Sequence, residues 1–146
     1  MGVSIARLTN ALLASYAKVG GINHVDGKNL PSKRAIERIT TDLLRLLFPG
    51  YFEERLLHSS CLRVTTAQRL RTVRARLERE IGKSLEYPRS TRTSRREVRA
   101  LARAHTADLL SRLPAIRELL QTDVEAAHGG DPAALSAEEV IVAYPF

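Results

Sequence analysis

The sequence predicts an all-α protein, a bundle of about five to six helices. Apolar residues recur at three- and four-residue spacing in one segment after another, without sustained strand alternation. Helix-start signals, a Ser or Thr followed three residues later by Glu or Gln, stand at "TTAQ", "SRRE" and "SAEE". Pro and Gly fall mostly between the periodic segments. Aromatic residues make up only 5% of the chain and Trp is absent, so the interior must come from Leu, Ile, Val and Ala. A chain of 146 residues suits one domain with a sizeable hydrophobic core.

The elements follow in order. Residues 1–31 form an N-terminal amphipathic segment and a loop. Ile5, Leu8, Leu12 and Tyr16 recur at helical spacing, and "VGGINHVDGKNLPS" then interrupts the chain with three glycines and a proline. Residues 32–146 form the helical domain. Ser32 caps a helix whose stripe is Ile36, Ile39, Leu43, Leu46 and Leu47, and Pro49-Gly50 stops it. Thr65 with Gln68 makes a capping box that opens a second long helix. Leu70, Val73, Leu77 and Ile81 form its stripe, and Gly82 weakens or ends it. "YPRSTRTS" reads as a polar linker. Ser94 with Glu97 caps a third long helix, marked by Val98, Leu101, Ala102, His105 and Leu109. Pro114 restarts the chain into a fourth, which ends at Gly129-Gly130. Ser136 with Glu139 opens a last short helix, "AEEVIVAY". The apolar cluster Val140, Ile141, Val142, Tyr144 and Phe146 has nothing after it to cover it, as in a domain truncated at its C-terminal end.

Charge is unevenly spread. Residues 63–103 hold 13 Lys and Arg against 4 Glu, a net of +9, whereas the remainder holds 10 against 12. The whole chain carries +7. Such a stretch invites a nucleic-acid reading. However, Arg69, Arg71, Arg74, Arg76 and Arg79 scatter round the helix, no nucleic-acid motif accompanies them, and stacking aromatics are scarce. A solvated helix surface is preferred, with nucleic acid not expected as a partner. Cys61 is the only cysteine, which excludes an intrachain disulfide. The N-terminus has neither a signal-peptide h-region nor a myristoylation pattern, and no segment reads as a membrane span. A cytoplasmic location is expected.

Three carboxylates in "LLQTDVEAAHGGDPAA" stand out. On a wheel of about 100° per residue, with Ile116 at zero, Asp123 falls near −20°, between Leu119 and Leu120. A carboxylate on a packing face needs a cation or several donors, or its pKa rises. Asp123 is thus a candidate either for a structural partner or for a site. Glu125 falls on the solvent side. Asp131 precedes Pro132 and reads as a helix cap or a turn, with a ligand's ammonium group as the functional alternative.

Other candidates yield less. His58 and Cys61 have the spacing of half a metal site with no second pair, so no metal site is expected. His24 and Asp26 lie in a Gly-rich loop, where a turn role suffices. His105 reads as a hydrogen-bonded residue of an apolar face. No phosphate loop or nucleophile elbow exists, and spacing alone assigns no catalytic residue.

"INHVDGKNLPSKRAIERITTDLLRLLFPGYF" and "LPAIRELLQTDVEAAHGGDPAALSAEEVIVAYP" together resemble the N-terminal helical region of bacterial serine O-acetyltransferases, most closely the branch with a long N-terminal extension. "LLFPGYF", "DVEAA", "GDPAA" and "EEVIVAYP" carry the likeness, and the Arg-rich middle matches poorly. The resemblance implies transfer of an acetyl group from acetyl-CoA to the hydroxyl of L-serine, the step that feeds cysteine synthesis. It also implies a homo-oligomer joined through the helical domain. The general base, its orienting carboxylate and the acetyl-CoA cleft would belong to a left-handed β-helix domain absent from this sequence. No cofactor is therefore expected on this chain, which alone would be inactive. The resemblance matches Asp131, in "GGDPAA", to the aspartate that contacts substrate serine and inhibitory cysteine. Asp123 acquires no ligand from it. The second reading is a small basic helical module that binds nucleic acid, and the third a purely structural interaction domain.

Overall fold

The computed structural model describes residues 4–27, 30–87 and 93–143. Their regular structure is helical, with no strand among the described residues: α1 (Ile5–Lys18), a 3-10 turn (Gly20–Ile22), α2 (Lys33–Leu47), α3 (Ser59–Glu86), α4 (Arg95–Ser111), α5 (Leu113–Gly130) and α6 (Ala137–Ala143). The all-α expectation holds. Most of the "YPRSTRTS" linker, and Tyr144 to Phe146, lie outside the described residues.

Helix α1 buries no residue; Leu8, Leu12 and Tyr16 are each about half exposed. The bundle proper begins at Ser32. Its hydroxyl accepts from the Ala35 N–H at 3.3 Å, as a cap should. The Ser32 N–H itself donates to Oε2 of Glu80, 2.9 Å away and 48 residues further on. The reciprocal half of this capping box is supplied by α3 instead of by the third residue of α2. Phe48 ends α2, and Gly50 takes the left-handed region at φ 95°, where a side chain would be strained.

Helix α3 begins at Ser59, well before the Thr65–Gln68 signal. That expected start is corrected: a capping box acts only where the preceding backbone leaves the helix, and here residues 59–64 are already helical. Gly82 also fails to end α3, which runs on to Glu86. A Cβ built on Gly82 meets no atom within 4 Å. Gly82→Ala is therefore expected to stabilise the chain by about 0.5–1 kcal/mol, through lower unfolded-state entropy and better helix propensity. The check is a rise in melting temperature of about 2–4 °C.

Helix α4 opens with a complete capping box. Ser94 accepts from the Glu97 N–H, and the Glu97 carboxylate accepts from the Ser94 N–H at 2.7 Å. The Ser94 N–H, and after it the Ser94 hydroxyl, stabilise the ionised Glu97 carboxylate and hold its pKa below the usual glutamate value. Only Arg112 separates α4 from α5, with Pro114 in the first turn, where a missing N–H costs nothing. The α6 signal is met with a shift of one residue: Ser136 accepts from the Glu139 N–H, while Glu139 accepts from the Leu135 N–H instead of that of Ser136.

Two small apolar clusters share α2 as their common wall. Ile39, Val73 and Leu77 are buried between α2 and α3, with Leu43, Leu46, Ile81, Leu109 and Leu110 around them. Phe48, Val124 and Val140 are buried where the end of α2 meets α5 and α6, flanked by Leu44, Leu47, Phe52, Leu120 and Ile141. Val140 of the apolar C-terminal cluster is thus fully covered, whereas Val142 remains 64% exposed. This interior is smaller than the chain length suggests. The accessible surface is 11743 Å², against about 7,500 Å² for a compact monomer of this mass.

Ion pairs reinforce the α2–α3 seam. Arg76 bonds to Asp42, which also lies 3.8 Å from Arg45. Glu53 Oε2 accepts from Arg69 at 2.6 Å, and Oε1 lies 2.5 Å from the same guanidinium but off the N–H axis. Arg45 and Arg69 also donate to the backbone carbonyls of Phe52 and Arg45 respectively.

Candidate functional site

Asp131 is the C-cap of α5, not the N-cap of a following helix. Its N–H donates to the Ala127 carbonyl at 3.1 Å, closing the last turn. Its Oδ1 accepts from the Ala133 N–H at 2.8 Å, and its carbonyl from the Ala134 N–H at 3.1 Å. This is a side-chain-stabilised turn, one of the two structural readings of Asp-Pro. The carboxylate is half-buried and fixed in place at a helix C-terminus, where the macrodipole disfavours an anion.

Asp123 is exposed, so its expected packing role is corrected. The buried line of α5 runs through Ile116, Leu120, Val124 and Ala127, centred near roughly +40° on the wheel that placed Asp123 near −20°. Leu119, which drew the stripe toward Asp123, is 65% exposed. His105 moves for the same reason. It is exposed, as is Leu101, and the seam of α4 runs instead through Val98, Ala102 and the fully buried Thr106. The Thr106 hydroxyl has no hydrogen-bond partner among the described residues.

Glu125 is exposed as expected and accepts from Gln121 at 2.7 Å. It also borders a cleft of about 370 Å³ between the Phe48–Tyr51 turn, α5 and α6, with Arg117 and Gln121 on the same edge. Asp131 does not line this cleft. The spacing Arg117, Gln121, Glu125 was the available signal, a polar ridge at every fourth residue beside the apolar stripe. Arg117 reaches across to the Leu47 carbonyl at the end of α2.

His58 precedes α3 without a side-chain cap, and Cys61 is exposed near its start. Among the described residues, no three His, Cys, Asp or Glu side chains group as metal ligands. Asp26 lies at φ 56° in the loop after α1, consistent with a turn. No helix among the described residues is long and apolar enough to cross a membrane. The Arg-rich stretch is more than a solvated face, since Arg69, Arg76 and Lys83 pair with Glu53, Asp42 and Glu80.

No family model matches the chain. Among curated proteins, a serine acetyltransferase encoded on a plasmid of Synechococcus elongatus is 30% identical over 120 residues. The chain is similar to a serine acetyltransferase. The similarity covers 80% of this chain but only 38% of the relative. It therefore extends across more than the two stretches that carried the resemblance, and must include much of the Arg-rich middle.

Proposed function

We propose that this chain is the N-terminal helical domain of a serine O-acetyltransferase, a cytoplasmic enzyme that makes O-acetyl-L-serine from acetyl-CoA and L-serine for cysteine synthesis. The similarity over 120 residues to a protein of that name carries the reading. More than half of that relative lies outside the match. In this reading the general base and the acetyl-CoA cleft belong to a further, β-helical domain, and the helical domain serves assembly and one wall of the serine site. The large accessible surface, and apolar side chains such as Ile5, Leu119 and Leu135 left in solvent, suit a part whose faces meet other subunits or domains.

Asp131 is the residue assigned to serine. Its turn holds one carboxylate oxygen on the Ala133 N–H and fixes the group at the rim of α5. From there it would pair with the ammonium group of L-serine, or of L-cysteine acting as inhibitor. It takes no part in moving the hydroxyl proton or the acetyl group.

In the complete enzyme, Asp131→Ala is expected to raise the KM for serine about tenfold or more, the loss of one charge-assisted hydrogen bond, with little change in the KM for acetyl-CoA. Steady-state kinetics with each substrate varied in turn tests this. Equal effects on both substrates would show that Asp131 supports folding and not serine. The 146-residue chain alone should show no serine-dependent release of CoA.

A further inference from the structure

A groove of about 380 Å³ runs between α3 and α4 on the Arg-rich side of the bundle, away from Asp131. Arg79 and Lys83 line it from α3, and Arg99 and Arg103 from α4. Each pair is four residues apart on its helix, so like charges are neighbours twice over, an arrangement that costs an isolated helix a few tenths of a kcal/mol per pair. Lys83 is neutralised by Glu80 at 2.7 Å, and Arg103 lies 4.0 Å from Glu78. Among the described residues, neither Arg79 nor Arg99 has a carboxylate within ion-pairing distance. The groove also contains Gly82, in a helix interior where any other residue but Pro would serve the helix better. Nothing packs against that glycine. A mid-helix glycine and two arginines without an ion pair among the described residues thus coincide in one depression lined also by the small residue Ala102.

We infer that this groove binds a small molecule carrying a pyrophosphate group, with the guanidinium groups of Arg79 and Arg99 meeting the phosphate oxygens from opposite walls. Guanidinium matches phosphate by paired, charge-assisted hydrogen bonds, and Gly82 leaves room for the group to approach α3. Glu86, also on the lining, can accept from a ligand hydroxyl such as that of a ribose. A continuous polyanion suits the place less well. Glu78 and Glu86 would face its backbone. The inference stands apart from the acetyltransferase reading and does not need it.

Isothermal titration of the full chain with inorganic pyrophosphate, and separately with ADP, tests it. Wild type should bind both saturably at one site, and tighter binding of ADP would place Glu86 on its ribose. The double change Arg79→Gln and Arg99→Gln should weaken binding about tenfold or more. Gly82→Met should do the same by filling the groove while leaving every charge in place. Arg63→Gln with Arg71→Gln should leave binding unchanged. Far-UV circular dichroism, expected to match wild type, shows that each variant is folded. The inference is overturned if wild type gives no saturable heat, or if Gly82→Met binds as well as wild type. It is equally overturned if a DNA duplex binds and the Arg63/Arg71 change weakens that binding as much as the groove change does.

Discussion

Phe48→Ala is expected to lower the stability of the chain by about 3–5 kcal/mol, a large share of the roughly 5–15 kcal/mol typical of a domain. Phe48 is 6% exposed and occupies the centre of the cluster that joins α2 to α5 and α6. Its ring meets Tyr51 at 6.5 Å and Phe52 at 6.1 Å between centroids, both edge-on, and such pairs add to the burial. The other cluster, around Val73 and Leu77, lies on a different face of α2 and does not include Phe48. The loss should therefore fall mainly on the α5–α6 pair. Urea unfolding should show the lowered stability, and hydrogen exchange should accelerate at α5 and α6 amides more than at those of α3. A loss below about 1 kcal/mol would mean that this cluster contributes little to holding the bundle together. Leu119→Ala is the control, since an exposed leucine should change stability by no more than about 0.5 kcal/mol.

The helices were legible in the sequence because their periodicity and their local caps agree. Ser32 and Ser94 cap as the sequence indicates, since a Ser that bonds an N–H three residues on needs nothing from the rest of the fold. The error in phase on α4 and α5 has one cause. Leu101 and Leu119 are apolar but exposed, and each pulled the inferred stripe off the true seam, which passes through Thr106 and Val124. Hydropathy alone gives an exposed leucine the same weight as a buried one. His105 and Asp123 were misplaced with them. Thr65 with Gln68 failed differently: the motif describes a possible start, and continuation of the helix from Ser59 satisfied the same N–H groups first.

The candidate site was legible only through resemblance. Asp131 looked like a turn residue and is one, so nothing in its local chemistry separates a ligand contact from a cap. The groove between α3 and α4 was hidden for another reason. Its cations come from two helices whose relative rotation no single-segment pattern reports. A net charge of +9 over residues 63–103 marks the region but not the residues. Once the helices are paired, the half-buried cations Arg69, Arg76 and Lys83 turn out to be spent on carboxylates, and Arg79 and Arg99, both exposed, are brought to the two sides of one groove.

Glu80→Ala is expected to cost about 1–3 kcal/mol at pH 7, by leaving the Ser32 N–H at the start of α2 without its acceptor. Glu80 is 5% exposed, and nothing in its own helix required a buried acid there. Burial by itself would raise its pKa. The hydrogen bonds from Lys83 and from the Ser32 amide, with the charges of Lys83 and Arg79, outweigh burial and hold the carboxyl below its usual value of 4.5. The sign of the pH effect follows. A carboxyl with a depressed folded-state pKa adds stability that is complete above the unfolded value and is lost as pH falls through the folded one. Below pH 4.5, then, the wild type should progressively lose what ionised Glu80 contributes to the α2–α3 clamp. Glu80→Gln keeps the shape and one acceptor but cannot titrate, so its deficit against wild type should be greatest near neutrality and shrink as the solution is acidified. Urea midpoints of the two proteins, measured side by side from pH 7 to pH 3, test this, because other carboxylates titrate alike in both and cancel in the difference. A gap that stayed constant across that range would show that the clamp does not depend on the charge of Glu80.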